Sequence, residues 1–319
     1  MPVHAFIFPG QGSQAVGMGR ELAAAFTAAR EVFEEVDETL KCRLSKLMFE
    51  GPAEELTLTE NTQPALMAHS LATLRVLEHE GGWRLADKAV VVAGHSLGEI
   101  SALAAAGSFS IAAAARLLRL RGAAMQQAVP PGEGAMAALL GVELPLAGAI
   151  CLAAATAPDG TKQVVQPAND NGGGQVVISG HKAAVQRAIA LAKARGAKRA
   201  LLLAVSAPFH CALMAPAAAA LGEALAKFPP LPPLLPIIAN VSAAKATEPD
   251  EIVRLLIEQV TATVRWRESV LAMLGLGVDS FVELGAGKVL SGLVRRIAPD
   301  AAAASAGTPS EIETLLRTL

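Results

Sequence analysis

One stretch of this sequence, residues 89–104, constrains the fold more than any other. An apolar, β-branched run leads into Gly-x-Ser-x-Gly at 94–98, and apolar residues then recur at helical spacing. This order predicts a buried strand, a sharp turn with Ser96 at its apex, and a helix. Small residues flank the serine because a Cβ there would collide with neighbouring backbone. The pattern predicts a nucleophile that carries an acyl group, with the Leu97 N–H facing the oxyanion, although the motif alone also occurs in ordinary loops.

Length, composition and charge narrow the class of protein. The 319 residues suffice for one large domain, with or without a smaller one, and 52% of them are hydrophobic. A net charge of −2 gives no basic footprint, so we expect no nucleic-acid partner. The three cysteines are far apart without Cys-x-x-Cys spacing, which favours a reducing compartment and argues against disulfides or a zinc site.

The sequence also argues against a membrane protein. Its start has no basic region, and the apolar stretch there is too short for a signal peptide. The longest uncharged stretch, 200–222, contains two prolines and a histidine, which suit a membrane helix poorly. We therefore expect a soluble, cytoplasmic protein.

The order of predicted elements indicates two domains. Strands alternate with helices in the first part of the chain, which is typical of a mostly parallel α/β sheet. After the proline- and glycine-rich residues 129–132, the predicted order is βαββαβ, the ferredoxin-like pattern. We therefore predict a hydrolase-like α/β large domain of residues 1–130 and 204–319, with a ferredoxin-like small domain of residues 131–203 inserted in it.

Two helices near the start of the chain are predicted from spacing and caps. Apolar residues three and four apart from Leu22 to Leu40 predict one continuous amphipathic helix. Asn61-Thr62-Gln63-Pro64 has the composition of a helix start, which predicts a second helix running from there toward Glu80.

His210 is the best candidate for the base that a serine nucleophile requires. It follows a β-like run in Val205–His210, and the chain order of nucleophile before histidine matches that of hydrolases. A histidine with apolar neighbours is as often a packing residue, so this interpretation stays open here. The aspartates between Ser96 and His210, Asp159 and Asp170, both lie in turn-like contexts. We therefore expect a Ser–His pair whose imidazole is oriented by a backbone carbonyl or an amide.

Two further segments have the composition of a binding site. Gly10–Gln14 directly follows the first predicted strand, where a second oxyanion N–H originates in this architecture. The segment lacks the continuation of a dinucleotide-binding fingerprint, so the sequence does not support nucleotide binding. The alternative to an oxyanion loop is a flexible glycine loop. Arg121 lies on a predicted helix and, if it faces inward, offers a planar fork that fits a carboxylate; a solvated arginine is the alternative.

Taken together, these segments resemble those of malonyl-CoA:acyl carrier protein transacylases, acyltransferases of fatty acid synthesis. The resemblance runs nearly from end to end, and the combination in this order is far more specific than any one piece. Its segments are Gly10–Gln14, Thr62–Ala65, Gly94–Glu99, Arg121–Gly122 with Met125 and Gln126, Asn169–Asn171, Ser206–His210, Val264–Trp266 and Glu283–Leu290.

The resemblance implies a role for each matching residue. Ser96 is the nucleophile, His210 the general base, and Arg121 the residue that holds the malonyl carboxylate. The backbone N–H groups of Gln11 and Leu97 form the oxyanion hole. The backbone carbonyl of the Val264–Trp266 segment that orients the histidine is that of Arg265. Asn169 and Asn171 fall where the family places amides near the active-site histidine. The residues expected to bind the substrate are these two together with Gln63, which lines the cleft, and Met125.

The resemblance also implies the reaction. A malonyl group passes from malonyl-CoA to Ser96, and then to the phosphopantetheine thiol of an acidic acyl carrier protein, by a ping-pong mechanism without a metal or cofactor. Three alternatives stay open at this point. The acyltransferase could serve a polyketide synthase or a malonate decarboxylase. The strand–turn–helix of residues 89–104, called the elbow below, could instead belong to a serine hydrolase or thioesterase. The fold could also be a non-catalytic scaffold.

Overall fold

A computed structural model describes residues 2–319, which form ten strands, fifteen α-helices and one 3₁₀ turn, Ala212–Met214. The strands are β1 (His4–Phe8), β2 (Ala89–Gly94), β3 (Gly134–Leu140), β4 (Val165–Asp170), β5 (Gln175–His181), β6 (Arg199–Leu202), β7 (Ile237–Ile238), β8 (Lys245–Ala246), β9 (Ser280–Leu284) and β10 (Ala302–Ala306). The helices are α1 (Arg20–Ala25), α2 (Thr27–Leu40), α3 (Leu44–Glu50), α4 (Ala53–Thr57), α5 (Thr59–Gly81), α6 (Leu85–Lys88), α7 (Leu97–Ala105), α8 (Ile111–Gln127), α9 (Leu144–Ala154), α10 (Lys182–Ala194), α11 (Ala215–Lys227), α12 (Pro249–Gln259), α13 (Trp266–Gly275), α14 (Val289–Ile297) and α15 (Pro309–Leu316).

The larger sheet is a six-stranded, mostly parallel sheet in the order β10-β9-β1-β2-β7-β8. Only β8, at one edge, runs antiparallel to its neighbour. Along the central strand β1, Phe6 and Phe8 contribute to the apolar core on one face, whereas Ala5 and Ile7 contribute to the core on the other. This alternation, with helices covering both faces, explains why the strand is apolar throughout.

The smaller sheet is antiparallel and has the order β4-β5-β3-β6. Its chain order βαββαβ, with α9 and α10 packed on one core, is the ferredoxin-like arrangement. The predicted fold class, a hydrolase-like parallel-sheet core with a ferredoxin-like small unit, is therefore confirmed. All six elements lie within residues 131–203, and the exact domain boundaries stay a prediction.

Both predicted helices near the start of the chain differ from the structure. The helix over Leu22–Leu40 divides into α1 and α2, because Phe26 between them is extended, with φ −129° and ψ 125°. The second helix begins earlier than predicted, at Thr59, so Pro64 lies inside α5. Its Asn61 side chain donates to the Glu55 carbonyl and thus bonds back to the preceding helix instead of capping α5. No helix within residues 2–319 is long and apolar enough to cross a membrane.

Candidate active site

Ser96 lies at the carboxyl end of β2, where the chain turns sharply into α7. Its φ of 54° and ψ of −111° are strained values for a residue with a side chain. A Cβ on Gly94 would overlap the Gly98 carbonyl, and a Cβ on Gly98 would overlap the Phe8 carbonyl of β1. Both flanking glycines are therefore required by close backbone contacts.

Ser96 and His210 form a hydrogen-bonded pair. The Ser96 Oγ lies 2.7 Å from the His210 Nε2, and the His210 Nδ1 lies 2.8 Å from the carbonyl oxygen of Gln259. Because a carbonyl only accepts, Nδ1 carries the proton and Nε2 accepts from the serine hydroxyl. Burial, together with the positive charge of Arg121, lowers the pKa of His210 to about 3. The imidazole is therefore neutral at physiological pH and able to take the serine proton.

The prediction that the Arg265 carbonyl orients His210 is wrong. The orienting group is a backbone carbonyl, but it belongs to Gln259, the last residue of α12. The Arg265 carbonyl instead accepts from the backbone N–H and the hydroxyl of Ser269, both at 2.9 Å. Arg265 is the N-cap of α13, so its carbonyl is used by the first turn of that helix.

Sequence analysis missed Gln259 altogether, although its side chain joins several parts of the site. Its Oε1 accepts from the Arg121 Nη2 at 2.8 Å, and its Nε2 donates to the Glu99 carboxylate at 2.7 Å and to the Ser96 carbonyl at 3.0 Å. One signal was present in the sequence: this amide occupies a position of the buried stripe of α12, three residues after Leu256. A polar residue on such a stripe requires buried hydrogen-bond partners.

Two other buried residues to which the sequence assigned no role, Asn240 and Glu99, hold the turn in place. The Asn240 Oδ1 accepts from the Ser96 backbone N–H at 2.8 Å, and its Nδ2 donates to the Gly94 carbonyl at 2.7 Å. The Glu99 carboxylate accepts from the Asn240 backbone N–H at 3.0 Å. Burial raises the pKa of Glu99 to about 7. Glu99 is thus a structural partner of the turn and does not contact His210.

Arg121 of α8 is a buried cation that faces Ser96. Only 1% of it is exposed. Its Nη1 donates to the Gln63 Oε1 at 2.8 Å, and its Nη2 donates to the Ser96 Oγ at 3.2 Å as well as to Gln259. Within residues 2–319, no carboxylate lies within 4.0 Å of this guanidinium. Burial lowers the pKa of Arg121 to about 10, which leaves it charged at neutral pH. A buried charge with only neutral partners favours an anionic ligand beside it.

Most of the predicted site residues line one cavity of about 280 Å³ between the two sheets. Those residues are Gln11, Gln63, Ser96, Leu97, Arg121, Met125, Asn169 and His210. A larger cavity of about 470 Å³ lies between α5 and α7, but no predicted site residue lines it. We therefore assign the site on the arrangement of polar groups and not on cavity size.

Two predicted residues lie outside this cavity lining. Asn171 is buried, and its Oδ1 lies 3.0 Å from the Nε2 of His95, so it supports the histidine beside the nucleophile and not His210. Arg265 pairs with Glu268 and donates to the carbonyls of Val241 and Ser242. Asn169 does line the cavity, and its Oδ1 is buried without a hydrogen-bond partner among residues 2–319.

The two predicted oxyanion donors lie on the same cavity. Gln11 follows β1 and Leu97 begins α7, and both line the wall around Ser96. Neither backbone N–H donates a hydrogen bond to another residue of the described chain. Such free donors at the start of a helix and in an adjacent loop are able to stabilise a developing negative charge. Within residues 2–319 there is no cluster of three or more side chains arranged to hold a metal ion.

Comparison with known proteins identifies the class. The acyl transferase domain family matches residues 5–310 of the chain. The malonyl CoA-acyl carrier protein transacylases of Escherichia coli O157:H7 and Bacillus subtilis are each 46% identical to it; the alignments cover 99% of this chain in both cases and 99% and 96% of those proteins. This chain belongs to the acyl transferase domain family.

Solved structures agree with this assignment. An acyl-carrier-protein S-malonyltransferase from Bartonella henselae is 54% identical, with a TM-score of 0.95 and 99% of both chains covered. A malonyl-transacylase in complex with a type II PKS acyl-carrier protein is 42% identical, with a TM-score of 0.94, covering 99% of this chain and 100% of that one. The resemblance to malonyl-CoA:acyl carrier protein transacylases, predicted from the sequence motifs, is confirmed.

Proposed function

We propose that this chain is an acyl carrier protein S-malonyltransferase of fatty acid synthesis. It transfers a malonyl group from malonyl-CoA to the phosphopantetheine thiol of an acyl carrier protein. One observation carries the proposal: a buried arginine without a carboxylate partner lies 3.2 Å from a serine that is hydrogen-bonded to a neutral histidine. The relatives named malonyl CoA-acyl carrier protein transacylase support the same substrates.

The first half-reaction forms an ester on Ser96. The His210 Nε2 takes the hydroxyl proton as Oγ attacks the thioester carbonyl carbon of malonyl-CoA. The negative charge that develops on the carbonyl oxygen is stabilised by the backbone N–H groups of Gln11 and Leu97. The carbon–sulfur bond then breaks, and the coenzyme A sulfur takes the proton from His210. The product is a malonyl-Ser96 ester and free coenzyme A.

The second half-reaction reverses these roles with a new thiol. The phosphopantetheine thiol of the carrier protein gives its proton to the neutral His210, and its sulfur attacks the ester carbonyl. Collapse of the tetrahedral intermediate breaks the bond to Oγ, which takes the proton back. The carrier protein leaves with a malonyl thioester and Ser96 is regenerated.

Arg121 would select the acyl group. Its guanidinium can pair with the malonyl carboxylate through two parallel hydrogen bonds. An uncharged acyl group such as acetyl would leave the buried cation with only the more distant, partly ionised Glu99 as a counter-charge. Gln63, held on Nη1, fixes the plane of the guanidinium. Met125 and Asn169 would complete the wall around the acyl group.

The identity of the client carrier protein has a second candidate. One structural relative was solved in complex with a type II PKS acyl-carrier protein, so a polyketide synthase carrier is an alternative client. We place the reaction in the cytoplasm. The free cysteines Cys42, Cys151 and Cys211 support that compartment because unpaired thiols suit a reducing environment.

Intact-mass spectrometry after brief exposure to malonyl-CoA tests this function. Wild-type protein should gain one malonyl adduct, and Ser96→Ala should gain none. Adding a phosphopantetheinylated carrier protein should discharge the adduct onto the carrier thiol; parallel chases with fatty acid and polyketide carriers identify the client. Discharge to water alone would assign the protein to the hydrolases, and absence of an adduct would overturn the covalent mechanism.

A further inference from the structure

Building on the proposed function, we propose that the substrate carboxylate activates the Ser96–His210 pair by drawing the Arg121 guanidinium off the Ser96 hydroxyl. Arg121 then acts on the acylation step as well as on binding. The substrate class this favours is an acyl thioester with a free carboxylate.

The hydrogen bonds around the Ser96 Oγ define the resting arrangement. A guanidinium only donates, so at 3.2 Å the Arg121 Nη2 donates to the Ser96 Oγ while the serine hydroxyl donates to the His210 Nε2. One of the two lone pairs of the Ser96 oxygen therefore accepts a hydrogen bond from a cation, which draws electron density from the atom that must attack the thioester. Loss of this hydrogen bond therefore makes the Ser96 oxygen a better nucleophile.

The lengths of the bonds to Arg121 indicate which one is given up. Its contacts with Gln63 and Gln259 are both 2.8 Å, whereas its contact with Ser96 is 3.2 Å. Gln259 is held independently, because its Nε2 donates to Glu99 and to the Ser96 carbonyl. A carboxylate entering the cavity can thus replace the serine as an acceptor while both glutamines keep the arginine in place. The Gln259 carbonyl that orients His210 belongs to the backbone and is unaffected.

The charges in the cavity also favour acylation of Ser96 by an acyl group that carries a carboxylate. Proton transfer creates an imidazolium at His210 beside the guanidinium of Arg121, and the positive charge of Arg121 disfavours that imidazolium. The other ionisable groups facing the pair compensate only in part: burial lowers the pKa of His95, which keeps it neutral, and burial raises the pKa of Glu99 to about 7, so Glu99 is only partly ionised at neutral pH. With malonyl, two positive charges meet a carboxylate and an oxyanion; with acetyl, they meet an oxyanion alone. The counter-charge brought by malonyl therefore lowers the barrier to acylation.

A small free carboxylate should restore this counter-charge in trans. The experiment measures single-turnover acetylation of Ser96 by saturating acetyl-CoA at neutral pH, in sodium formate and in sodium chloride of equal ionic strength. Formate should fill the space of the missing malonyl carboxylate and raise the limiting acetylation rate of wild-type protein by about tenfold, the effect of one charge-assisted hydrogen bond. Arg121→Ala should show no activation. Arg116→Ala, which changes an exposed arginine of the same helix, should respond as wild type does.

A second measurement does not depend on formate binding. In wild-type protein the limiting acylation rate at saturation should be at least several-fold higher with malonyl-CoA than with acetyl-CoA, and in Arg121→Ala the two limiting rates should be equal. Equal limiting rates in wild-type protein, or formate activation that persists in Arg121→Ala, would overturn the inference. Failure of malonyl-CoA to acylate Ser96 at all would instead overturn the proposed function, so the two failures are distinguishable.

Discussion

Ser96 and its two partners, His210 and Arg121, are held in place by different kinds of contact. The serine turn takes its shape from residues next to it in the chain, since Gly94 and Gly98 allow it to lie against β1. Asn240 and Gln259 then hydrogen-bond to the Ser96 backbone. His210 and Arg121 are both fixed by Gln259, which is 49 residues from the histidine and 138 residues from the arginine. The shape of the nucleophile turn is thus set by its own residues, whereas its base and its specificity residue reach the serine only once distant helices have packed.

Control over the base and the specificity residue is concentrated at the carboxyl end of α12. Gln259 contacts His210 through its backbone carbonyl. Its side-chain amide contacts the Arg121 guanidinium and the Ser96 carbonyl in the elbow. The base and the cation therefore share one support, which also contacts the backbone of the serine turn. Each prediction below tests one side of this division.

The largest expected effect contrasts a distant histidine with the one adjacent to the nucleophile. His210→Ala should lower the rate of Ser96 acylation by ~10²–10⁴, because a positioned base is lost. His95→Gln should cost far less, since the His95 Nε2 contacts Asn171 and not the Ser96 hydroxyl. Release of coenzyme A from malonyl-CoA in a single turnover measures both. Equal losses in the two variants would show that the serine depends as much on His95, its neighbour in the chain, as on the distant His210.

A pH-dependent effect is expected at Glu99, which lies on the elbow helix but holds residues of the distant half. Its pKa is raised by burial from 4.5 to about 7, so the folded protein keeps a proton there that the unfolded chain has lost. The free energy of unfolding should therefore fall by about 3 kcal/mol from this residue as pH rises from 4.5 to 7. His210, whose lowered pKa acts in the opposite direction over an overlapping range, is present in both proteins and cancels in the comparison.

Urea unfolding of wild-type protein and Glu99→Gln across this pH range measures the effect. The difference in unfolding free energy should shift in favour of the variant as pH rises, and it should level off above pH 7. Profiles of unfolding free energy against pH that stay parallel for the two proteins would mean that Glu99 is ionised over the whole range. Gln259 would then donate to a fully charged carboxylate.

The division between local and distant contacts also explains how much of the site the sequence predicts. The elbow and the βαββαβ order depend on residues close in the chain, and both were predicted in the order observed. The orienting carbonyl was assigned to Arg265 from the family resemblance alone. Every residue has a carbonyl, so no residue pattern indicates which one is free. In the structure, the first turn of α13 uses the Arg265 carbonyl as a hydrogen-bond acceptor. The Gln259 carbonyl, at the end of α12, faces His210. Asn171 was misplaced for a similar reason, since its position in the chain does not determine which histidine it contacts.

The smallest predicted effect isolates the local half of the site. Ser96 adopts φ 54° and ψ −111°, a conformation that glycine tolerates and alanine does not. Ser96→Gly and Ser96→Ala both remove the hydroxyl and its hydrogen bonds to His210 and Arg121. Ser96→Gly should therefore be more stable than Ser96→Ala by about 1 kcal/mol, because relief of backbone strain exceeds the entropic cost of glycine in the unfolded chain. Urea unfolding at one pH measures the difference. A Ser96→Gly variant no more stable than Ser96→Ala would mean that the turn imposes no strain of its own and that distant contacts hold the serine as they hold its partners.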